Sequence, residues 1–197
     1  MKIFFFFSGC SLKVVGKEVF KKDKTYIVTC NHNSLMDVPL STPFIPGPNK
    51  TIAKIEMASV PIFGMIYKRG SVLVDRHDKD SRKSSFKSMK AVLSNGIHMC
   101  IYPEGTRNKT GLPLKEFYDG AFKLSVETRK EIIPSLIFNT QNVFPSDKGL
   151  YFWPSPMEIH FLPSISPNHH ETPESLKSRV VQIMKNYYVG NFDKLVR

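Results

Sequence analysis

Tyr26-Ile27-Val28-Thr29-Cys30-Asn31-His32-Asn33-Ser34-Leu35-Met36-Asp37 sets a histidine and a carboxylate five positions apart, directly after an apolar run. The run Tyr26 to Cys30 reads as a buried strand. A histidine at the end of a strand, with an aspartate on the turn or helix that follows, can serve as a proton acceptor and its orienter. Histidine has the ordinary pKa closest to neutrality, which suits it to take a proton from an alcohol. The carboxylate selects the imidazole tautomer and stabilises the imidazolium. Ser34-Leu35-Met36-Asp37 also has capping-box spacing, so a helix is expected from Ser34, with Pro39 limiting it. By itself the pair reads equally well as a capped turn.

Outward from this stretch the chain alternates strands and helices. Leu12 to Phe20 reads as a short strand pair around Gly16. Thr51 to Lys54 and Ser71 to Val74 read as strands, with a short apolar helix from Ser59 to Lys68 between them. Lys79 to Ser94 is expected to be helical, with Phe86, Met89 and Leu93 on one face and Asn95-Gly96 as the stop. A strand over Ile97 to Tyr102 follows, then a helix over Phe117 to Thr128 with Phe117, Ala121 and Leu124 in register. Ile132 to Phe138 and Met157 to Leu162 read as strands. A last helix starts near Thr172-Pro173-Glu174 and carries Leu176, Val180, Ile183, Met184 and Tyr187 on one stripe. The alternation predicts an α/β fold: a single domain with a mixed, largely parallel sheet flanked by helices. Asn139 to Pro156 is the longest irregular stretch and reads as a lid or a lipid-facing rim.

At 197 residues with 41% hydrophobic and 23% charged content, the chain suits one globular domain. Its net charge of +11 points to an anionic partner. A nucleic-acid module would cluster basic and aromatic residues on one face. Here Lys and Arg are dispersed and no RNA-recognition signature occurs, so nucleic acid is not the expected partner. Cys10, Cys30 and Cys100 form no paired motif; Cys30 and Cys100 lie in apolar runs and read as reduced, buried thiols in a reducing compartment. No metal site is expected, because no His/Cys cluster has ligand spacing and His169-His170 are adjacent in a polar loop. No segment reaches the ~20 apolar residues of a spanning helix. The apolar Ile3-Phe4-Phe5-Phe6-Phe7 reads as a membrane-dipping segment or a buried first element. Four consecutive Phe suit the first reading better, which assigns residues 1–13 to membrane association and 14–197 to the folded domain.

Polar clusters follow four of the strands. They are Lys54-Ile55-Glu56, Asp75-Arg76, Glu104-Gly105-Thr106-Arg107 and the His32 stretch itself. Ligands of open α/β sheets bind outside the carboxyl ends of strands, so the four would converge on one crevice. Arg and Lys there would hold a phosphate through charge-assisted contacts. Gly105 permits positive φ or close backbone approach.

These blocks carry a resemblance. Asn31 to Asp37 resembles the N-H-x4-D block of the glycerolipid acyltransferases of the 1-acyl-glycerol-3-phosphate acyltransferase type. Lys54-Ile55-Glu56 followed by Pro61-Ile62-Phe63-Gly64 is similar to the family's K-x-E…P-x-F-G stretch, and Gly70 to Arg76 to its second block. Tyr102-Pro103-Glu104-Gly105-Thr106-Arg107 matches the F/Y-P-E-G-T-R block, and Pro134 resembles the fourth. Four blocks in order are far more specific than N-H-x4-D alone. The resemblance implies a glycerol-3-phosphate acyltransferase-like fold in which His32 deprotonates the acceptor's 2-hydroxyl and Asp37 orients it. It implies that Lys54, Arg76 and Arg107 bind the acceptor's phosphate. Glu104, Gly105 and Thr106 would shape that site, with backbone N–H groups near the oxyanion. The co-substrate would be an acyl-CoA or acyl carrier protein thioester, with no other cofactor and no covalent acyl-enzyme. Implied partners are lysophosphatidate and the cytoplasmic face of an anionic membrane, met peripherally or monotopically. Another lysolipid or glycerol 3-phosphate is the alternative acceptor. Two departures stand out: only 31 residues precede His32, where many members carry a two-helix anchor, and Tyr118 stands where the family often has Lys.

Overall fold

The computed structural model describes residues 9–59, 61, 63–145 and 151–195. Its centre is a seven-stranded sheet made of β1 (Leu12–Val15), β2 (Ile27–Cys30), β3 (Asn49–Lys54), β4 (Ser71–Val74), β5 (His98–Ile101), β6 (Ile132–Phe138) and β7 (Met157–Phe161). The strand order is β1-β7-β6-β2-β5-β3-β4. All neighbours are parallel except β6 and β7, so the sheet is mixed and largely parallel, as expected.

Crossover helices cover the parallel strands, which explains their near-continuous apolar sequence. In β2, Ile27 faces one core with Met99, Ile132 and Leu136, while Val28 and Cys30 face the other with Cys100, Ile133 and Ile137. The first core is closed by α3 (Lys79–Ser94), α4 (Gly120–Thr128) and α6 (Pro173–Leu195). The second is closed by α1 (Asp37–Ser41) and α5 (Thr140–Val143). The helix α2 (Phe63–Gly70) joins β3 to β4.

Most expected elements form, several with shifted ends. Leu12 to Phe20 holds one strand rather than two. Gly16 turns with φ 80° against the Phe161 backbone, where a Cβ would lie 2.0 Å from the carbonyl oxygen, and a single 3-10 turn over Lys17–Val19 follows. The helix expected from Ser59 resolves into a 3-10 turn over Ile55–Ser59 and then α2. The helix expected from Phe117 begins only at Gly120. Along α6 the buried stripe is Leu176, Val180, Met184 and Tyr188, whereas Ile183 is 40% exposed. Spacings of four keep that stripe on one side. β1 starts at Leu12 and Cys10 is already buried, so the folded domain begins before residue 14. The Phe4 to Phe7 run lies outside the described residues. Among the described residues, no helix is long and apolar enough to cross a membrane.

Candidate active site

β2 is flanked by β5 and β6, and the chain leaves its carboxyl end with Asn31. The Asn31 amide takes over from the strand: its Nδ2 donates to the Ile137 carbonyl at 2.9 Å and its Oδ1 accepts from Ile137 N–H at 2.7 Å. This side-chain ladder satisfies β6 one step beyond the backbone pairing and sets the direction in which His32 leaves the sheet.

The helix expected at Ser34 begins instead at Asp37. The Asp37 carboxylate turns back into the loop. Its Oδ2 accepts from Asn33 N–H at 2.6 Å, from Ser34 N–H at 2.8 Å and from His32 Nδ1 at 2.7 Å. Its Oδ1 accepts from the Thr140 hydroxyl at 2.5 Å. Ser34 does not cap α1 in the expected way; its hydroxyl accepts from Met36 N–H and donates to the Phe144 carbonyl. The loop hydrogen bonds and the orientation of His32 are thus one and the same device. Asp37 is wholly buried and the His32 side chain is 19% exposed. A neutral imidazole that directs Nδ1–H at the carboxylate leaves Nε2 as an acceptor.

The loop after β5 clamps His32 from two sides. His32 N–H donates to Glu104 Oε1 at 2.9 Å, and Asn108 N–H donates to the His32 carbonyl at 2.6 Å. Tyr102 packs its ring 4.6 Å from the imidazole, and its hydroxyl lies 2.7 Å from Ser41 Oγ. Glu104 is wholly buried, and its second oxygen accepts from Lys115 N–H at 3.2 Å. Burial raises the Glu104 pKa, opposed by the two backbone N–H donors. Its carboxylate therefore positions backbone on both sides of the loop rather than facing a substrate.

Gly105 adopts φ 71°, and its carbonyl accepts from Arg76 Nη1. A Cβ there would fall 2.7 Å from the Tyr118 ring. The Gly105 N–H is engaged with the Tyr102 carbonyl at 3.0 Å, which removes it from the expected oxyanion role. Lys115 Nζ donates to Thr106 Oγ1 at 2.9 Å. Among the described residues, Arg76, Arg107 and Lys115 have no carboxylate partner. Cations left without counter-charges around one glycine turn form a receptive place for a phosphate. Lys54 stands exposed at the end of β3, separated from β2 by β5, and its side chain makes no polar contact among the described residues.

Four contributors were not assigned from sequence. Thr140 is 103 positions from Asp37 and carries no local signal. Lys115 had one: it lies three residues before Tyr118, the position where a lysine was expected. Asn31 and Tyr102 sit inside recognised blocks, but only the tertiary contacts give them roles. Cys30 is wholly buried with its Sγ 4.0 Å from that of Cys100; that contact and burial push its thiol pKa up. Among the described residues, no group of three or more His, Cys, Asp or Glu side chains could hold a metal ion.

Comparisons with known proteins place the chain in a family. The acyltransferase family profile matches residues 11–138. The chain is 30% identical to 1-acyl-sn-glycerol-3-phosphate acyltransferase of Cocos nucifera over 93% of its own length and 58% of that protein's. It is 30% identical to the protein of that name from Helicobacter pylori, over 95% of its own length and 79% of the relative's. The crystal structure of the 1-acyl-sn-glycerophosphate acyltransferase PlsC from Thermotoga maritima superposes with a TM-score of 0.82 at 26% identity, covering 96% of this chain and 75% of that one. The chain therefore spans little more than half the length of the coconut protein.

Proposed function

Because the chain belongs to the acyltransferase family, we propose that it moves a fatty acyl group from an acyl thioester to the 2-hydroxyl of 1-acyl-glycerol-3-phosphate, giving phosphatidate. The observation that carries this reading is His32, locked on Asp37 through Nδ1 with Nε2 left as acceptor, beside a glycine turn bearing cations that have no carboxylate partner among the described residues. His32 Nε2 takes the hydroxyl proton as the oxygen attacks the thioester carbonyl carbon. The tetrahedral intermediate collapses, the C–S bond breaks and the thiolate recovers the proton from the imidazolium. A hydroxyl is a weak nucleophile at its own pKa, so the base contributes roughly 10²–10⁴-fold. Transfer is direct. Cys30, the nearest thiol in sequence, is buried against Cys100 and held neutral, which argues against an acyl-enzyme on it.

The acceptor's phosphate is assigned to Arg76, Arg107 and Lys115 around Gly105-Thr106, with Lys54 further out. Acyl-CoA or acyl carrier protein supplies the acyl group, and no other cofactor is called for. The +11 charge supports work at an anionic bilayer, and the buried reduced cysteines suit its cytoplasmic face. The test follows free thiol while the protein is incubated with acyl-CoA or acyl carrier protein thioester and either 1-acyl-glycerol-3-phosphate or glycerol 3-phosphate. His32→Ala should lose about 10²–10⁴-fold in kcat. Arg76→Ala and Arg107→Ala should chiefly raise the acceptor KM. Turnover by His32→Ala at the wild-type rate would refute the mechanism.

A further inference from the structure

The stretch entering β7, Tyr151-Phe152-Trp153, is exposed along all three side chains, Trp153 to 61%. Because β7 runs antiparallel to β6, its entry lies at the carboxyl edge of β6, the edge that holds His32. The stretch is tied there: Trp153 N–H donates to the Val143 carbonyl at 3.0 Å. The next residue, Phe144, accepts from Ser34 Oγ, and Thr140 of the same short helix holds Asp37. Leu35, inside the His32–Asp37 turn, is itself 49% exposed. Aromatic surface and catalytic turn thus lie on either side of the Val143-Phe144 backbone.

From this juxtaposition we propose that Tyr151-Phe152-Trp153 seats in the headgroup region of an anionic bilayer and turns the carboxyl edge of the sheet, with His32, toward lipid. Tyr and Trp combine an apolar body with a polar tip, which suits the membrane–water interface. An exposed aromatic run of this kind marks an interaction surface. Charge selects the occupant. A chain of net charge +11 is drawn to an anionic surface, whereas two copies repel each other at long range. The proposal rests on the acyltransferase reading for its lipid substrate, since an acceptor with an acyl tail resides in that bilayer.

Trp153 is the sole tryptophan of the chain, so intrinsic emission reports this residue alone. The full chain is titrated with phosphatidylcholine vesicles, with and without phosphatidylglycerol, and with brominated acyl chains. The expected result is a blue shift with the phosphatidylglycerol vesicles and quenching by bromines near the headgroup. Trp153→Glu should weaken vesicle co-sedimentation about tenfold or more. It should raise KM for bilayer-dispersed lysophosphatidate and leave turnover of a short-chain, water-soluble lysophosphatidate unchanged. Vesicle binding without quenching would overturn the proposal, since another face would then dock. A blue shift that follows protein concentration without lipid would overturn it in favour of a second copy. Wild type inactive on the soluble acceptor would instead refute the acyltransferase reading, and the quenching result would stand apart from it.

Discussion

Asp37 decides what His32 can do, and Thr140 decides how firmly Asp37 is held. Three donors crowd onto Oδ2, and the Thr140 hydroxyl is the hydrogen bond that fixes Oδ1. Thr140→Val keeps the shape but leaves a buried carboxylate oxygen unpaired, so stability should fall by about 1–3 kcal/mol in urea unfolding. As Thr140 acts through Asp37, kcat should drop several-fold with acceptor KM unchanged, and Thr140→Ser should restore both. Glu104 gives a pH signature. Its folded pKa is raised by burial, so the folded protein keeps this proton to higher pH than the unfolded chain does. Between the ordinary glutamate value and the raised one the unfolded state binds fewer protons, and stability contributed by this group is lost as pH rises. Unfolding curves of wild type and Glu104→Gln across that interval should show the wild type losing ground with increasing pH. At this scale the sequence carried the pairing of His32 with Asp37. It carried neither the threonine behind them nor the fact that Glu104 faces backbone.

The element that most sharply positions the site is β2, and its last rung is a side chain. Asn31→Ala removes both hydrogen bonds to Ile137 in a fully buried strand. The expected cost is roughly 2–4 kcal/mol from two stranded backbone groups, measured by denaturant midpoint with the slope unchanged. Long periodic segments were legible: α3 and β6 span the residues their patterns predicted. Ends were less so, for identifiable reasons. At Ser34 the capping-box spacing was present, yet the hydroxyl found the Phe144 carbonyl beyond the end of β6 and the helix waited for Asp37. Near Gly16 the pattern allowed a second strand, but close packing on the Phe161 backbone turned the chain away. In β6, Pro134 has no N–H to return the bond it accepts from Leu162, and the ladder to β7 stops at Ser135.

At the scale of the whole molecule, strand order brings the blocks together. β2 lies between β5 and β6, so loops separated by some seventy to a hundred residues meet above it. The same order stacks Cys30 against Cys100 in the buried core. Both thiols should therefore resist iodoacetamide in the native protein and react fully once it is unfolded, as mass spectrometry of the labelled peptides would show. Rapid native labelling of either would mean that the centre of the sheet opens far more readily than its burial suggests.

Local pattern alone determined the fold class and the run of helices and strands, and the ordered blocks singled out His32, Asp37, Arg76 and Gly105 as candidates, because periodicity and block order are written in neighbouring residues. Tertiary structure alone decided that Thr140 holds Asp37, that Lys115 reaches Thr106 near the place where Tyr118 replaces an expected lysine, and that Trp153 lies close to the His32–Asp37 turn. Those facts depend on which strands lie side by side. That choice is made by burying two faces of one sheet at once, a condition on the whole chain that no single stretch expresses.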